Sequence, residues 1–455
     1  MKNLLNLINP IFFGTLCGFS WLYFESFGWG IFFGFAYTFY WLTNPKEPKN
    51  ATIHLLLFLL SWFGLGCINL TSYSFKIYAF AVGSFTIVYG ITFFLAHFAF
   101  IRLGWFRGVT SFFALVIAIE YLQGEFFPLS PWFALGNSLV GFNFPNFIVP
   151  IFGVSGVSLF VLIISFLITE IFLHFKKLKN FQPIKLILII PFLMILLISN
   201  NEIKSQKLEK VLVIQPQTQA NQQTDFGKIF NELSSIPIEE LKTYQIFFPE
   251  SFVSLPIDTS QNTYNDLRTF LIKNNLEYFY GLVNEEPEYY SNQIFTASKK
   301  PIYTKQKLVP DVERNLFSFK TNNLKNSKNM AICYESIYPN YFRVISDSTA
   351  LVKVFTNDVW FQNTTAYSHH AVLLKYRALE NGVTILRIAN SGLSGVFYPT
   401  GKMEILPKEK ITNQINFTAL SSQTFFHLHG DVLGRISLFL SLFLLLFAFV
   451  KHIKY

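Results

Sequence analysis

The sequence predicts a multispanning α-helical membrane domain of about eight helices joined to an extracytoplasmic α/β domain. Three observations carry this prediction. Only 14% of the residues are charged, against 51% hydrophobic, whereas a soluble domain usually has about 25% charged residues. Apolar windows long enough to cross a bilayer recur along the chain. One long polar stretch, residues 201–433, interrupts them.

Eight apolar windows have lengths suited to a membrane span, and we expect them near residues 8–25, 28–43, 53–70, 78–101, 108–124, 147–173, 184–200 and 434–450. The first two are short and aromatic, and their separation by Glu25-Ser26-Phe27 also fits a tilted hairpin. The first window has no small-residue cleavage pattern, so we interpret it as a retained span. The predicted division is a seven-span domain in residues 1–200, a polar domain in residues 201–433, and a last helix with its tail in residues 434–455.

The loop charges predict the orientation. In the eight-span arrangement almost all basic loop residues fall on one side, namely Lys2, Lys46, Lys49, Arg102, Arg107, Lys176, Lys177, Lys179, Lys185, Lys451 and Lys454. The positive-inside rule then places both termini in the cytoplasm and the polar domain outside. The polar domain itself is balanced, with 23 Lys and Arg against 22 Asp and Glu, so the net charge of +9 belongs to the membrane flanks. The sequence therefore excludes a basic domain suited to nucleic acid.

The polar domain has the pattern of an α/β fold. Short β-rich runs are followed by helical patterns such as Thr263–Lys273 and Tyr367–Glu380; the runs are residues 211–215, 245–248, 278–283, 330–332 and 351–355. Strands that alternate with helices predict layered sheets covered by helices. Residues 319–329 have the composition of a solvated loop.

One cysteine stands apart from the other two. Cys17 and Cys67 lie inside predicted spans, where a cysteine is usually a small buried hydrophobe. Cys333 is the only cysteine of the polar domain, and it ends the apolar run Met330-Ala-Ile. A lone cysteine at a strand end is either a candidate nucleophile or a buried core residue, and the sequence around it leaves both interpretations open.

Two further segments place charged groups at strand ends. Glu250 follows a hydrophobic run and is bracketed by Pro249 and Pro256. Lys305 follows the short run that ends at Tyr303-Thr304. Each motif alone is typical of a solvated loop, but strand ends also deliver side chains to the sheet edges where active sites are commonly built.

The order of these motifs resembles the nitrilase superfamily, and within it the apolipoprotein N-acyltransferase family. The resemblance rests on Pro249-Glu-Ser251, on Tyr303-x-Lys-x-x-Leu-Val-Pro-x-x-Glu313 and on Ile332-Cys-Tyr-Glu335, and it extends to further segments at residues 120–124, 131–136, 152–156, 356–361, 377–380 and 387–392. It implies a nitrilase-like α-β-β-α sandwich in the polar domain. The chain departs from the family pattern in having Asp311-Val312 in place of Phe-Gly before Glu313 and Lys307 where a histidine is common, and it lacks a tryptophan after the first strand.

The resemblance implies roles for six residues. Glu250 would be the general base, Lys305 the oxyanion partner and Cys333 the nucleophile, while Glu313, Tyr334 and Glu335 match residues that support activity or bind substrate. It implies no cofactor and no metal. The neighbouring pair of histidines at 369 and 370 lacks a ligand set with zinc-like spacing, and we interpret both as structural.

The implied function is transfer of an acyl chain from a phospholipid to the N-terminal amine of a diacylglyceryl-cysteine apolipoprotein through a Cys333 thioester. The expected partners are the phospholipid donor, the diacylated acceptor and the membrane, and we expect a monomer in the bacterial inner membrane with its catalytic domain facing the periplasm. The spans lack the paired charges of a transporter. Two alternatives remain: a membrane-tethered amidase or acyltransferase with another acceptor, and a membrane protein with an inactive nitrilase-like domain.

Overall fold

The computed structural model divides the chain into two compact units. The helical unit comprises Met1–Asn200 and Leu428–Tyr455, and the α/β unit comprises Asn201–His427. The structure describes residues 2–42, 48–126, 130–175, 202–219, 222–255, 262–286, 289–297, 300–309, 313, 329–361 and 364–453. The predicted span 184–200 and most of the predicted loop 319–329 lie outside this part of the chain.

Helices make up most of the helical unit. They are α1 Lys2–Leu22, α2 Phe24–Phe27, α3 Gly30–Leu42, α4 Pro48–Gly66, α5 Phe75–Leu103, α6 Trp105–Glu125, α7 Val149–Phe175 and, at the end of the chain, α14 Val432–Ile453. Four of the described helices, α5, α6, α7 and α14, are long and apolar enough to cross a membrane, and α1, α3 and α4 contain shorter apolar helices. Each predicted window within the described residues thus contains a helix. The count of eight spans and their direction across the bilayer stay predictions.

Two of the long helices expose apolar faces. On α5 the side chains of Phe80, Ile87, Ile91 and Phe94 recur at helical spacing and are each more than half exposed. On α14 the same holds for a stripe at residues 436, 439, 442, 443 and 446. Contiguous exposed apolar surface of this kind is unfavourable in water and is typical of a membrane-facing helix.

A polar centre connects the segment after α6 to the helices. Glu120 of α6 is 4% exposed, and its Oε1 accepts a hydrogen bond from the backbone N–H of Leu135 at 2.8 Å. The Oγ of Ser158 on α7 accepts from the N–H of Gly136 at 2.9 Å. The same segment buries Phe133 against Trp21, Phe63 and Phe85. These contacts fix a chain segment of short 3₁₀ turns at the ends of the helices.

Within its described residues, the α/β unit contains twelve strands in two sheets. The strands are β1 Lys204–Ile214, β2 Gln245–Phe247, β3 Val253–Leu255, β4 Tyr278–Glu286, β5 Tyr289–Phe295, β6 Tyr303–Thr304, β7 Met330–Ile332, β8 Leu351–Thr356, β9 Thr384–Ala389, β10 Gly395–Phe397, β11 Met403–Ile405 and β12 Thr412–Ser421. The first sheet has the order β12-β1-β2-β4-β5-β6, with β3 paired to β4, and the second has the order β11-β10-β9-β8-β7. The helices of this unit are α8 Phe226–Ser234, α9 Ile238–Leu241, α10 Asn262–Lys273, α11 Pro339–Ile345, α12 Ala366–Asn381 and α13 Phe425–His429.

The alternation of side chains along β1 shows how the layers pack. Successive side chains of a strand point to opposite faces, and in β1 the side chains of Val211 and Val213 join a core shared with Ile388 and other residues of the second sheet. Leu212 and the residues near it pack instead in a core that α8 and α10 cover. The two sheets therefore pack face to face, with helices on the outer face of the first sheet and α12 against β9 of the second.

Most of the predicted elements are present. The strand predicted at residues 330–332 is β7, and the helices predicted at Thr263–Lys273 and Tyr367–Glu380 are α10 and α12, each within about two residues, the usual disagreement at helix ends. The short run predicted to end at Tyr303-Thr304 is β6, whereas the strands β3, β5 and β9 to β12 carried no prediction. The predicted α/β domain of layered sheets covered by helices is confirmed.

Candidate active site

The backbone around Glu250 brings its carboxylate to the carboxyl end of β2. The chain leaves β2 after Phe247 and turns at Ser251, which has a positive φ of 54°. Gly281 of β4 makes room for this turn, because a Cβ there would lie 2.6 Å from the Cα of Glu250. The Glu250 carboxylate is 4% exposed, and its Oε2 accepts from the backbone N–H of Asn357 at 2.8 Å.

Lys305 lies between two glutamates. Its Nζ is 3.0 Å from Glu250 Oε1 and 2.7 Å from Glu313 Oε1, and the three side chains are between 1% and 10% exposed. Glu313 is held in turn by the backbone N–H of Val309, which donates to its Oε2 at 2.7 Å. Pro310, Asp311 and Val312 lie outside the described residues, so the effect of the Asp311-Val312 replacement is seen only through the position of Glu313.

Asn292 of β5 is a site residue that the sequence did not indicate. Its side chain is buried, and its Nδ2 donates to Glu250 Oε1 at 2.7 Å and to Glu313 Oε1 at 3.1 Å. Its backbone carbonyl accepts from the N–H of Lys305 at 2.9 Å. One amide thus bridges both carboxylates. The only sequence signal is a polar residue in an antiparallel strand, which is too common to select it.

Cys333 begins a 3₁₀ turn, Cys333–Ile337, directly after β7. Its φ of +50° is rare for a residue with a side chain, and such strain at a strand end is typical of positions where structure fixes a functional side chain. Strand β8 ends beside this turn, where the side chain of Thr356 forms a hydrogen bond with the thiol. The carboxyl ends of strands from both sheets therefore supply the polar groups at one edge.

Burial and charge set the protonation of the site. Burial raises the pKa of Glu250, the neighbouring Glu313 adds to this, and Lys305 opposes it. Burial together with the charges of Glu250 and Asp358 raises the pKa of Cys333 well above its usual range, although Lys305 and the Thr356 hydrogen bond act in the other direction. The thiol is therefore protonated at neutral pH and needs a base, and a carboxylate with a raised pKa is suited to that task.

Glu335 connects the turn at Cys333 to the segment that carries Lys305. It is fully buried and accepts five hydrogen bonds, from the N–H of Ile332 at 2.7 Å, of Gln306 at 2.5 Å and of Lys307 at 3.1 Å, and from the hydroxyls of Tyr303 at 2.5 Å and Tyr341 at 3.1 Å. Burial raises the pKa of Glu335, and these hydrogen bonds lower it in part. Tyr334 is half-buried with its ring 5.3 Å from that of Tyr338. Of the six predicted site residues, Glu250, Lys305 and Glu313 form one contact cluster. Cys333 lies near enough for the charges of Glu250 and Lys305 to change its pKa.

Behind Cys333 lies a second buried cluster of Asp358, His370 and Arg387. His370 Nδ1 is 2.9 Å from Asp358 Oδ1, and Arg387 hydrogen-bonds the other carboxylate oxygen. Burial alone would raise the pKa of Asp358, but the charge of Arg387 and the hydrogen bonds from His370 and Arg387 lower it to about 2. The interpretation of His370 as a purely structural helix residue missed this neighbourhood, because its partners lie far apart in sequence.

A metal ion has an imperfect set of ligands here. Atoms of Cys333, Asp358 and His370 lie within 4.8 Å of one another, and thiolate, carboxylate and imidazole together are ligands for borderline metals. However, Arg387 pairs with Asp358 and places a fixed positive charge in the cluster. That charge, together with the use of the Asp358 carboxylate by Arg387, disfavours a divalent metal ion, so we assign no metal to the site.

Comparison with known sequences assigns both units to described families. The profile of the apolipoprotein N-acyltransferase N-terminal domain matches residues 13–167, and that of the carbon-nitrogen hydrolase family matches residues 210–422, which contain all six predicted site residues.

Curated relatives carry the same description. Apolipoprotein N-acyltransferase of Haemophilus ducreyi is 27% identical over 62% of this chain and 64% of its own length. That of Wigglesworthia glossinidia brevipalpis is 25% identical over 65% of each chain. The Rickettsia prowazekii protein is 35% identical over 19% of this chain and 17% of its own. The aligned part of the chain thus spans less than two thirds of the length of these relatives.

Proposed function

The chain belongs to the apolipoprotein N-acyltransferase family of the nitrilase superfamily, and on this premise we propose that it transfers an acyl chain from a phospholipid to the N-terminal amine of a diacylglyceryl-cysteine apolipoprotein. The observation that supports this most is the buried contact of Lys305 with Glu250 and Glu313, at 3.0 and 2.7 Å, beside the strained turn of Cys333. A base, a cation and a nucleophile in a dry site are the groups that acyl transfer through a covalent intermediate requires.

In the first half-reaction Glu250 takes the proton of the Cys333 thiol while the sulfur attacks the ester carbonyl of the phospholipid. The pKa of Glu250 is raised mainly by burial, which makes its carboxylate a better proton acceptor than an exposed one. The tetrahedral oxyanion is stabilised by the Lys305 ammonium and by the backbone N–H of Tyr334. The C–O bond then breaks, Glu250 returns its proton to the leaving alcohol, and the acyl group remains on sulfur as a thioester.

In the second half-reaction the amine of the acceptor replaces the alcohol. Its nitrogen attacks the thioester carbonyl, the C–S bond breaks, and the sulfur recovers a proton. Glu250 and Lys305 act again as base and oxyanion partner, so one site serves two different substrates in turn. Donor and acceptor therefore bind alternately, which gives ping-pong kinetics.

Both substrates are lipids, which gives the helical unit its role. The exposed apolar stripes of α5 and α14 fit a bilayer, and an ester near the headgroups is reached only by a catalytic unit at the membrane surface. We assign the seven predicted spans of residues 1–200 and the single helix after the α/β unit to the bacterial inner membrane, with both termini in the cytoplasm and the α/β unit in the periplasm.

The test is acyl transfer from an alkyne-tagged phospholipid to a synthetic diacylated lipopeptide by the detergent-purified chain. We expect transfer by the wild-type protein and none by Cys333→Ala or Glu250→Gln. Transfer that survives in Cys333→Ala would refute the proposal. Hydrolysis of the thioester at equal rates with and without lipopeptide would favour a membrane-tethered amidase instead, and a wild-type chain that takes no label would favour an inactive nitrilase-like domain.

A further inference from the structure

The cluster of Asp358 and His370 has no part in the mechanism above, although it adjoins the nucleophile. His370 lies on α12 and is 2% exposed. Its Nδ1 is 2.9 Å from Asp358 Oδ1, and ring, carboxylate and the Cys333 sulfur have atoms within 4.8 Å of one another. A carboxylate that orients a histidine next to a thiol is an arrangement for exchanging protons with that thiol.

The surroundings hold this pair in place from several elements. Arg387 of β9 hydrogen-bonds Asp358 and donates from Nε to the carbonyl of Leu393 at 2.9 Å. The Nη2 of Arg387 is also 3.5 Å from His370 Nδ1. On the side of the nucleophile, Ser336 lies 3.4 Å from His370 Nε2 and donates to the Cys333 carbonyl at 2.7 Å.

Among the described residues, three charged or titratable groups lie beside His370: the Asp358 carboxylate, the Arg387 guanidinium and the Cys333 thiol. Asp358 is ionised, since its pKa is lowered to about 2 by Arg387 and His370 against the effect of burial. Its carboxylate accepts from both neighbours, and this fixes which edge of the imidazole faces it. The Asp358 carboxylate, which also pairs with Arg387, thus lies where it partly offsets the positive charge of a protonated imidazole.

The second half-reaction releases one proton that neither Glu250 nor the Cys333 sulfur keeps, so it needs a further proton acceptor. An N-terminal amine with a pKa of about 7.7–8.0 enters mainly as ammonium at pH 7, and it loses two protons on becoming an amide. One of them ends on the sulfur, which is a thiol again. Glu250 has to finish as a carboxylate, since it must take the thiol proton in the next turnover. The first half-reaction has no such surplus, because the thiol proton leaves with the alcohol.

We propose that His370, oriented by Asp358, accepts the surplus proton that the amine releases. This inference rests on the proposed function and adds a group to the same site. The ammonium first gives one proton to Glu250, and the free amine then forms the N–C bond as the C–S bond breaks and its second proton passes to the Cys333 sulfur. The proton held by Glu250 then reaches the imidazole through the regenerated thiol, which leaves Glu250 as a carboxylate. The imidazolium so formed is paired with the Asp358 carboxylate and then loses its proton to solvent.

The test separates the two half-reactions in the full-length protein. The wild type, His370→Gln and the control His369→Gln are first incubated with an alkyne-tagged phospholipid, and thioester formation is timed. A diacylated lipopeptide is then added and loss of the label is followed from pH 6.5 to 9. A glutamine can still donate to Asp358 but cannot accept a proton, and His369 is the neighbouring buried histidine of the same helix.

We expect thioester formation by His370→Gln within about threefold of the wild type and loss of label to lipopeptide about 10- to 100-fold slower at pH 7. The difference should shrink above about pH 8, where the amine enters with one proton fewer. A purely structural role predicts a defect that is the same in both half-reactions and independent of pH.

Three results would overturn the inference. The first is a wild-type rate of label loss in His370→Gln at pH 7, and the second is a defect of constant size across the pH range. The third is loss of thioester formation in both His370→Gln and His370→Asn, which would make the residue necessary for the fold or for the first half-reaction. If the wild type itself forms no thioester, the proposed function fails, and the inference fails with it.

Discussion

Replacing Lys305 by methionine tests whether the two glutamates depend on its charge. The substitution keeps the length of the side chain but leaves Glu250 and Glu313 buried without the cation that lies 3.0 and 2.7 Å from them. Removing one partner of a buried ion pair typically costs about 3–5 kcal/mol. In a domain of this size each kcal/mol lowers Tm by about 2–4 °C, so we expect a loss of roughly 6–20 °C.

The pH dependence of this loss has a definite sign. Without Lys305 the pKa of Glu250, already raised by burial and by Glu313, rises further. A carboxyl group whose pKa is higher in the folded state than in the unfolded chain makes the fold less stable as it loses its proton. The free energy of unfolding therefore falls as the pH rises above about 4.3, the pKa of a glutamate in the unfolded chain. Lys305→Met should therefore be closer to the wild type at pH 5 than at pH 8.

The assay is thermal unfolding of the detergent-purified chain, followed by intrinsic fluorescence at both pH values. Lys307→Met is the matched control, because its ammonium lies 4.4 Å from the centre of the Tyr338 ring rather than beside the glutamates. The double variant Lys305→Met/Glu250→Gln should recover part of the stability lost at pH 8, since it removes one of the two buried charges. Two results would contradict a dependence of the glutamates on the Lys305 charge. One is a Tm loss in the double variant that equals the sum of the two single losses, and the other is a Tm loss in Lys305→Met no larger than that in Lys307→Met.

Three further substitutions test the geometry around Glu250. Gly281→Ala should lower the rate of thioester formation at least tenfold, because the new Cβ would lie 2.6 Å from the Cα of Glu250. The control Gly227→Ala should leave the rate unchanged, because the atom nearest to its Cβ would be 3.5 Å away, and equal rates in the two variants would contradict this. Asn292→Asp removes two hydrogen bonds and adds a negative charge beside Glu250, and both changes raise the pKa of that carboxyl group. The acid limb of the pH–rate profile for thioester formation should therefore move to higher pH. An unmoved profile would show that the Asn292 amide does not stabilise the two carboxylates. Glu335→Gln replaces one oxygen of a carboxylate that accepts five hydrogen bonds, so some buried donors lose their acceptor. Each such donor should destabilise the chain by about 1–3 kcal/mol, measured by thermal unfolding. An unchanged Tm would mean that Glu335 does not connect the two segments.

The sequence predicted the elements whose pattern is local. The apolar windows carry their own length signal, and β7 and α12 have the composition and periodicity of the strand and helix they form. The contact of Lys305 with Glu250 was anticipated only through the family resemblance, because the two residues are 55 positions apart and the sequence between them contains no signal that they meet.

The rest could not be predicted because it depends on pairing across the fold. Asn292 reaches the site through the register of β5 against β6, which places its carbonyl opposite the N–H of Lys305. His370 and Asp358 are joined only when α12 packs near the end of β8. Phe133, which follows the predicted span 108–124, is 4% exposed because it packs against Trp21, Phe63 and Phe85 of three different helices.

The most direct test of the thioester route is the mass of the Cys333 peptide after the purified chain has been incubated with phospholipid alone. We expect an added acyl chain on this peptide that hydroxylamine removes, that is absent from Cys333→Ala, and that disappears when a diacylated lipopeptide is supplied. An unmodified peptide in a correctly folded wild-type chain that still transfers the acyl group would contradict the thioester route.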